Sequence, residues 1–261
     1  MQKFAISRAT VINALTANAE TVGMESVNLL DWQPQIVWRS NASLTPYLVI
    51  DLGTAQTINR LALLFCNVTA VATMRVRAAP SQANLTAAPI FDQTGLALPG
   101  TYDDGGDKHA ICRIAGSISA RWWRIDLSDA GNTAGYIESG RLWLGKAFEP
   151  AFQPNWSPTE GYDENTGLFK YSCQFTFVSE TEYRSEIKPL LRDYGFGPFT
   201  TTEDSLLIPR HPDKLILAEL PTLDAQYSNQ NIIYGVVRGR DSSQNFRDDF
   251  RVRLNFTAMR G

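Results

Sequence analysis

The feature that most constrains the fold of this chain is a pair of short apolar runs separated by a glycine. Residues 47–52 form the first run, Gly53 follows, and residues 58–63 form the second. Runs of this length, rich in branched residues and bounded by turn residues, are typical of buried β-strands. Trp38, upstream of both, is large enough to fill the space between two packed sheets. The pattern predicts two strands around a glycine turn and points to a binding protein.

Further short strands are predicted along the first part of the chain, with no long amphipathic helix between them. Clusters of Gly, Pro, Asn and Asp separate them, and this spacing favours an antiparallel sandwich over an α/β sheet. The predicted strands are residues 48–52, 60–66, 73–78, 110–114, 121–127 and 141–145.

A proline-rich stretch marks the predicted domain boundary. Residues 148–158 contain Pro150, Pro154 and Pro158, and proline at this density stops both helix and sheet. We therefore predict a first domain over residues 1–148, a linker or arm over 149–168, and a second domain over 169–261.

Several segments of the first domain carry a family resemblance. They are Asn-Leu-Leu-Asp at 28–31, Ala-Arg-Trp-Trp-Arg-Ile at 120–125, Ile-Glu at 137–138 and Leu-Trp-Leu-Gly at 142–145. In order and spacing these segments resemble the discoidin family (coagulation factor 5/8 type C modules). The members are β-sandwich jelly rolls that other proteins carry for adhesion or glycan attachment. The resemblance implies a discoidin-like β-sandwich and a surface that contacts glycan.

The second domain shows a different pattern, a strand followed by a helix and then by more strands. Along residues 170–178 apolar and polar side chains alternate, which predicts a half-buried strand. A capping box at 179–182 and Gly195, a residue type that commonly ends helices, predict one helix between them. Strands are then predicted at 205–208, 215–217, 232–238 and 250–256. This layout resembles the tail-tube-like antiparallel β domains of bacteriophage tail tip and baseplate proteins.

Charge and cysteine content exclude some classes of protein. The chain has 24 basic and 27 acidic residues, a net charge of −3, and so lacks the excess of Lys and Arg that binding to nucleic acid requires. No segment approaches the length of a membrane span, and the N-terminus does not match a secretory signal. Three cysteines without a CxxC spacing predict buried thiols, and neither zinc nor structural disulfides.

Catalytic motifs are not found in the sequence. The two histidines, His109 and His211, are far apart, and no metalloprotease, serine hydrolase or phosphate-binding motif occurs. We therefore predict a protein that is not an enzyme.

One acidic loop is a candidate metal site. Asp103, Asp104 and Asp107 surround a pair of glycines and could supply oxygen ligands to Ca²⁺. Asp and Gly are also the ordinary residues of an exposed loop tip, so this alternative stays open. No other cofactor is predicted.

Two groups of residues are candidates for contact with a ligand or a partner. Trp122 and Trp123 are consecutive, so on a strand one faces inward and the other outward, beside Arg121 and Arg124. An outward Trp and its arginines could stack on a sugar or pack against another protein. The second group, Arg251 and Arg253, forms one polar face of the last predicted strand.

The two resemblances together predict a structural component of a bacteriophage tail tip or baseplate. Such a protein would assemble in the host cytoplasm, form a ring or other symmetric homo-oligomer in the virion, and contact other tail proteins and a host-surface glycan. The main alternative is a free carbohydrate-binding, lectin-like module. A third hypothesis is a hydrolase that uses the loop at residues 103–107.

Overall fold

The computed structural model describes residues 5–31, 33–97, 109–148, 157–162, 169–177, 181, 184–185, 215–219, 232–246 and 249–258. The strands are β1 (Ala5–Ala9), β2 (Ala14–Ala17), β3 (Trp38–Arg39), β4 (Tyr47–Cys66), β5 (Thr73–Ala79), β6 (Phe91–Ala97), β7 (His109–Ser128), β8 (Glu138–Phe148), β9 (Ser157–Tyr162), β10 (Phe169–Phe177), β11 (Leu215–Glu219), β12 (Ile232–Phe246) and β13 (Asp249–Ala258). A 3-10 helix spans Ser26–Leu30 and a single α-helical turn, α1, spans Asn84–Ala87.

The chain folds into two units. The sandwich unit contains Ala9–Lys146, and the second unit contains the described residues before Ala9 and after Lys146. The mainly β, antiparallel fold class predicted from the sequence is confirmed.

Two sheets make up the sandwich unit, and two long strands contribute to both of them. In the first sheet the order is β2, the first part of β4, the last part of β7, β5 and β6. In the second sheet the order is the first part of β7, the last part of β4, β8 and β3. Strands that pass from one sheet to the other in this way form the corners of a sandwich.

The corners contain glycines with left-handed backbone angles. Gly53 in β4 has φ +73° and Gly116 in β7 has φ +78°, a region that side chains disfavour. The pairing of β4 with β7 shifts in register between Asp51 and Gln56, as expected where a strand bends. The structure therefore differs from the two separate strands predicted around Gly53, because the chain bends there and pairing resumes beyond the bend.

The core lies between the two sheets. Side chains from alternate positions of β4, β5, β7 and β8 meet there with Trp38 and Trp123, both fully buried. Cys66 and Cys112 are buried free thiols, as predicted, and burial raises the pKa of Cys112 to about 11. The side chain of Cys173 lies outside those that the structure describes.

The opposite face of the second sheet is buried as well. Trp143 on β8 and Leu64 on β4 are both fully buried on that face. Arg141 of β8 donates from Nη1 to the carbonyl oxygens of Leu30, at a short distance, and of Asp31, at 2.8 Å. These bonds hold the segment after the 3-10 helix against β8.

Among the described residues of the second unit, six antiparallel strands form a sheet in the order β1, β11, β12, β13, β10 and β9. The predicted strand at 170–178 is confirmed as β10, and those at 215–217, 232–238 and 250–256 correspond to β11, β12 and β13. The helix predicted after residue 179 and the strand predicted at 205–208 lie largely or wholly outside the described residues. Within the described part of the chain, no helix is both long and apolar enough to cross a membrane.

Candidate ligand-binding site

The outer surface of the first sheet carries a set of paired charges that we call the arginine face. Each arginine of the face forms an ion pair with an aspartate of the same face. They are Arg75, Arg77, Arg121, Arg124, Asp51, Asp92 and Asp126.

The consecutive tryptophans of β7 have opposite environments beside this face. Trp123 is fully buried in the core, where its Nε1 donates to the carbonyl oxygen of Ala120 at 3.3 Å. Trp122 is half-buried on the outer side, and the guanidinium carbon of Arg121 lies 5.3 Å from its ring centroid. Of the two, Trp122 is therefore the one that can contact a ligand or a partner.

Arg121 forms a bidentate ion pair with Asp51. Its Nε lies 2.7 Å from Oδ1 and its Nη2 lies 2.8 Å from Oδ2. The backbone N–H of Gly53 also donates to Oδ1, at 2.8 Å. The Arg121 hydrogen bonds are the main reason that the pKa of the buried Asp51 carboxyl falls to about 2.

Asp51→Asn should lower the melting temperature at neutral pH. The folded-state pKa lies below the unfolded value, so this pair stabilises the fold above about pH 4, and that stabilisation is lost as the pH falls toward 2. Calorimetric melting at pH 7 and at pH 2.5 should therefore show a smaller difference between wild type and variant at the lower pH. The control is Asp92→Asn, which breaks the more exposed pair with Arg75 and should change little. Equal effects of the two substitutions would contradict the prediction.

The remaining arginines of the face are also engaged within the chain. The guanidinium carbon of Arg124 lies 3.7 Å from the ring centroid of Tyr47, and its Nε and Nη2 donate to Oδ1 of Asp126. The other oxygen of Asp126 accepts from Arg77 at 2.7 Å. Because carboxylates of the chain already occupy these guanidinium groups, the arginine face is better suited to stabilising the sheet than to capturing a charged ligand.

A second cluster, which we call the end cluster, consists of Arg39, Tyr136 and Glu138. Arg39 and Glu138 are cross-strand partners where β3 pairs with the beginning of β8. Nε and Nη2 of Arg39 lie 2.7 and 2.5 Å from Oε2 of Glu138, and the guanidinium carbon lies 4.2 Å from the ring centroid of Tyr136. The Glu138 hydrogen bond raises the pKa of Arg39. The Arg39 and Glu138 side chains are 30% and 25% exposed, so the pair is accessible to solvent.

Hydrogen bonds beneath the end cluster fix its backbone. The Asn67 side chain donates to the carbonyl oxygen of Tyr136 at 3.1 Å and accepts from the N–H of Glu138 at 2.8 Å. Ser40 Oγ accepts from the N–H of Ile137 and donates to the carbonyl oxygen of Ser43. Both sides of the cluster are thus held in place before any ligand arrives, which reduces the entropy lost on binding.

The end cluster was not predicted from the sequence. Arg39 and Glu138 are 99 residues apart. The sequence identified Trp38 as a residue that fills the core and residues 137–138 as part of the discoidin-like resemblance, and nothing linked the two segments. A local signal did exist, because Arg39 follows the buried Trp38 and therefore faces away from the core. Its pairing with Glu138 depends on the register of β3 against β8, which the local pattern does not contain.

The other candidate residues are placed as follows. Asp103, Asp104 and Asp107 lie outside the described residues, so the calcium site stays a prediction. Within the described residues, no group of three or more potential metal ligands comes together.

Arg251 and Arg253 lie on β13, whose backbone pairs with β10 on one side and β12 on the other. The side chains of both arginines lie outside those that the structure describes, so their contact with a partner stays a prediction.

No protein-family model matches the sequence, and no curated protein matches it either. Similar solved structures include the family 32 CBM of NanJ from C. perfringens in complex with galactose, at 13% identity and a TM-score of 0.41, covering 54% of this chain and 99% of that chain. The chitosan-binding module 1 of a Paenibacillus sp. IK-5 chitosanase/glucanase is 16% identical, with a TM-score of 0.40 over 54% of this chain and 99% of its own. The CBM32 of AlyQ, in complex with 4,5-unsaturated mannuronic acid, is 20% identical, with a TM-score of 0.39 over 52% and 96%.

Proposed function

We propose that the sandwich unit binds glycan, without transforming it, at the end cluster. The observation that carries the proposal is the solvent-accessible Arg39–Glu138 pair beside the half-buried ring of Tyr136. Sugars combine hydroxyl groups with apolar ring faces, and sites for small ligands combine an aromatic surface with a few fixed polar groups. The resemblance of the first 148 residues to discoidin modules implies the same class of ligand.

The polar atoms of the pair are suited to hydroxyl groups. Both contacts of Arg39 with Glu138 use Oε2, so within the described residues Oε1 of Glu138 and Nη1 of Arg39 have no hydrogen-bond partner. One is an acceptor and the other a donor, and a hydroxyl group can act in either role. The half-buried ring of Tyr136 supplies apolar surface next to them.

Tyr136→Ala should weaken glycan binding roughly tenfold or more, the order expected for loss of an aromatic contact. The backbone carbonyl that accepts from Asn67 is retained, so the variant should keep the loop conformation. The test is a glycan array with the full chain, followed by calorimetric titration of the strongest sugar against wild type and variant.

The matched control is Trp122→Ala, which removes the half-buried aromatic side chain beside the arginine face. This change should leave the Kd within about twofold of wild type if the end cluster is the site. The proposal fails if no sugar on the array binds. The proposed location fails if Trp122→Ala abolishes binding while Tyr136→Ala does not.

Assembly into a bacteriophage tail tip or baseplate remains a prediction from the strand layout of the second unit. The same is true of self-association, of partner tail proteins and of a location in the virion. No comparison adds support to these predictions, and the lectin-like alternative agrees better with the geometry of the end cluster.

A further inference from the structure

We infer that Glu138 makes the end cluster selective for uncharged sugars, because its carboxylate occupies one edge of Arg39 and cancels the charge that would otherwise attract an acidic sugar. The inference rests on the glycan binding proposed above and names the class of ligand for that site. Glu138 is thus assigned as the residue that determines specificity.

The first step of the argument is the geometry of the ion pair. A guanidinium binds a ligand carboxylate most strongly through two parallel N–H groups on one edge. In Arg39 the Nε and Nη2 edge is already taken, because both atoms lie within 2.7 Å of Oε2 of Glu138. An acidic sugar would have to displace Glu138 or bind at the other edge of the guanidinium, through Nη1 and the second N–H of Nη2.

The second step is the charge of the site. The Arg39 and Glu138 side chains carry opposite charges and form a neutral pair. A ligand carboxylate drawn to Arg39 would lie close to the carboxylate of Glu138, and the repulsion would oppose the attraction. A hydroxyl-bearing ligand meets no such repulsion, since it can accept from Nη1 and donate to Oε1.

The third step is that the pair is held in this arrangement. Glu138 is fixed through its backbone N–H by Asn67, at 2.8 Å, and Arg39 is held over the ring of Tyr136. Replacing Glu138 by Gln should preserve the strand and the side-chain shape while removing the negative charge. The Arg39 edge would then be bonded to a neutral amide oxygen, which a ligand carboxylate can displace more easily.

The experiment compares three pairs of sugars that differ in a carboxylate at C6: galactose with galacturonate, glucose with glucuronate, and mannose with mannuronate. Their Kd values are measured by calorimetric titration with the full chain at pH 7. Wild type should favour the uncharged member of whichever pair binds by about tenfold or more. Glu138→Gln should shift this ratio toward the uronate by at least about tenfold, and high salt should reduce the shift.

Two further variants make the test specific. Asp92→Asn removes a carboxylate from the exposed Arg75–Asp92 pair of the arginine face and makes the same change in net charge, so it should leave the ratio unchanged. The Glu138→Gln variant is expected to gain uronate binding. The double variant Arg39→Gln with Glu138→Gln should lose that gain, because it no longer has the guanidinium. Thermal melting of every variant checks that it is folded.

The outcomes separate this inference from the proposed function. If wild type binds none of the sugars on the array or in the three pairs, glycan binding itself is wrong. If wild type binds an uncharged sugar but binds its uronate equally well, or Glu138→Gln leaves the ratio unchanged, the assignment of Glu138 is wrong while glycan binding stands. An equal shift in Asp92→Asn would also overturn it, because net charge rather than the end cluster would then explain the effect.

Discussion

Gly140→Ala is expected to destabilise the sandwich unit by about 3 kcal/mol or more. A Cβ atom built on Gly140 would lie 2.3 Å from the carbonyl oxygen of Pro34 and 3.0 Å from the C and Cα atoms of the same residue. These are backbone atoms, so no side-chain rotation can relieve the clash. Either β8 or the segment that contains Pro34 must move.

The segment around Pro34 has little freedom to move. Arg141, the next residue of β8, donates to the carbonyl oxygens of Leu30 and Asp31 just before it. A shift large enough to admit a methyl group at residue 140 would lengthen those bonds and leave a buried guanidinium with fewer partners. Urea denaturation of wild type and variant, followed by circular dichroism, measures the effect as a lower midpoint.

Gly135→Ala is the matched control for this prediction. Gly135 has φ +77°, a conformation that Ala disfavours, but no atom outside its chain neighbours lies within 4 Å of the position of the new Cβ. Gly135→Ala should therefore lower the free energy of unfolding by only about 1 kcal/mol, from backbone strain alone. Similar losses in the two variants would show that the contact with Pro34 is not the cause.

Local sequence pattern accounts for most strands of the sandwich unit. The opposite environments of Trp122 and Trp123 follow from alternation along a strand, and Trp123 is indeed in the core. Burial of Cys66 and Cys112 follows in the same way from their apolar neighbours. In each case the information lies within a few residues of the position predicted.

Contacts between distant segments could not be derived in this way. The Arg121–Asp51 pair joins residues 70 apart and the Arg39–Glu138 pair joins residues 99 apart. Both depend on strand register, and a register is set by the packing of whole sheets. For the same reason Arg121 and Arg124 could be identified from the sequence as charged neighbours of a tryptophan, but not as groups already paired with Asp51 and Asp126.

The stability of the fold is expected to fall as His109 takes up a proton. The imidazole is buried, its Nδ1 accepts from the backbone N–H of Phe65 at 3.2 Å, and the Phe65 ring packs edge-on against it at 4.8 Å between centroids. Nδ1 is therefore unprotonated in the folded state. Burial lowers the pKa of His109 from 6.5 to about 4.

The direction of the pH effect follows from this shift. Between about pH 6.5 and pH 4 the unfolded chain binds a proton at His109 that the folded chain does not, so stability falls as the pH is lowered through this range. The full difference between the two pKa values corresponds to roughly 3 kcal/mol. The charged side chains on the same sheet face are Arg141, beside Leu64, and the facing pair Arg60 and Arg113 further along the strands. All three are cations, so none of them favours an imidazolium at His109.

His109→Asn separates this effect from the titration of carboxylates elsewhere in the chain. Asn can place Oδ1 near the position of Nδ1, so it keeps an acceptor for the Phe65 N–H but has no proton to gain. The variant loses the ring contact with Phe65 and should be less stable than wild type at pH 7. The measurement is the free energy of unfolding of both proteins at intervals from pH 7 to pH 4. The two curves should converge as the pH falls, because only wild type loses the contribution of a neutral His109; parallel curves would mean that His109 does not titrate in this range.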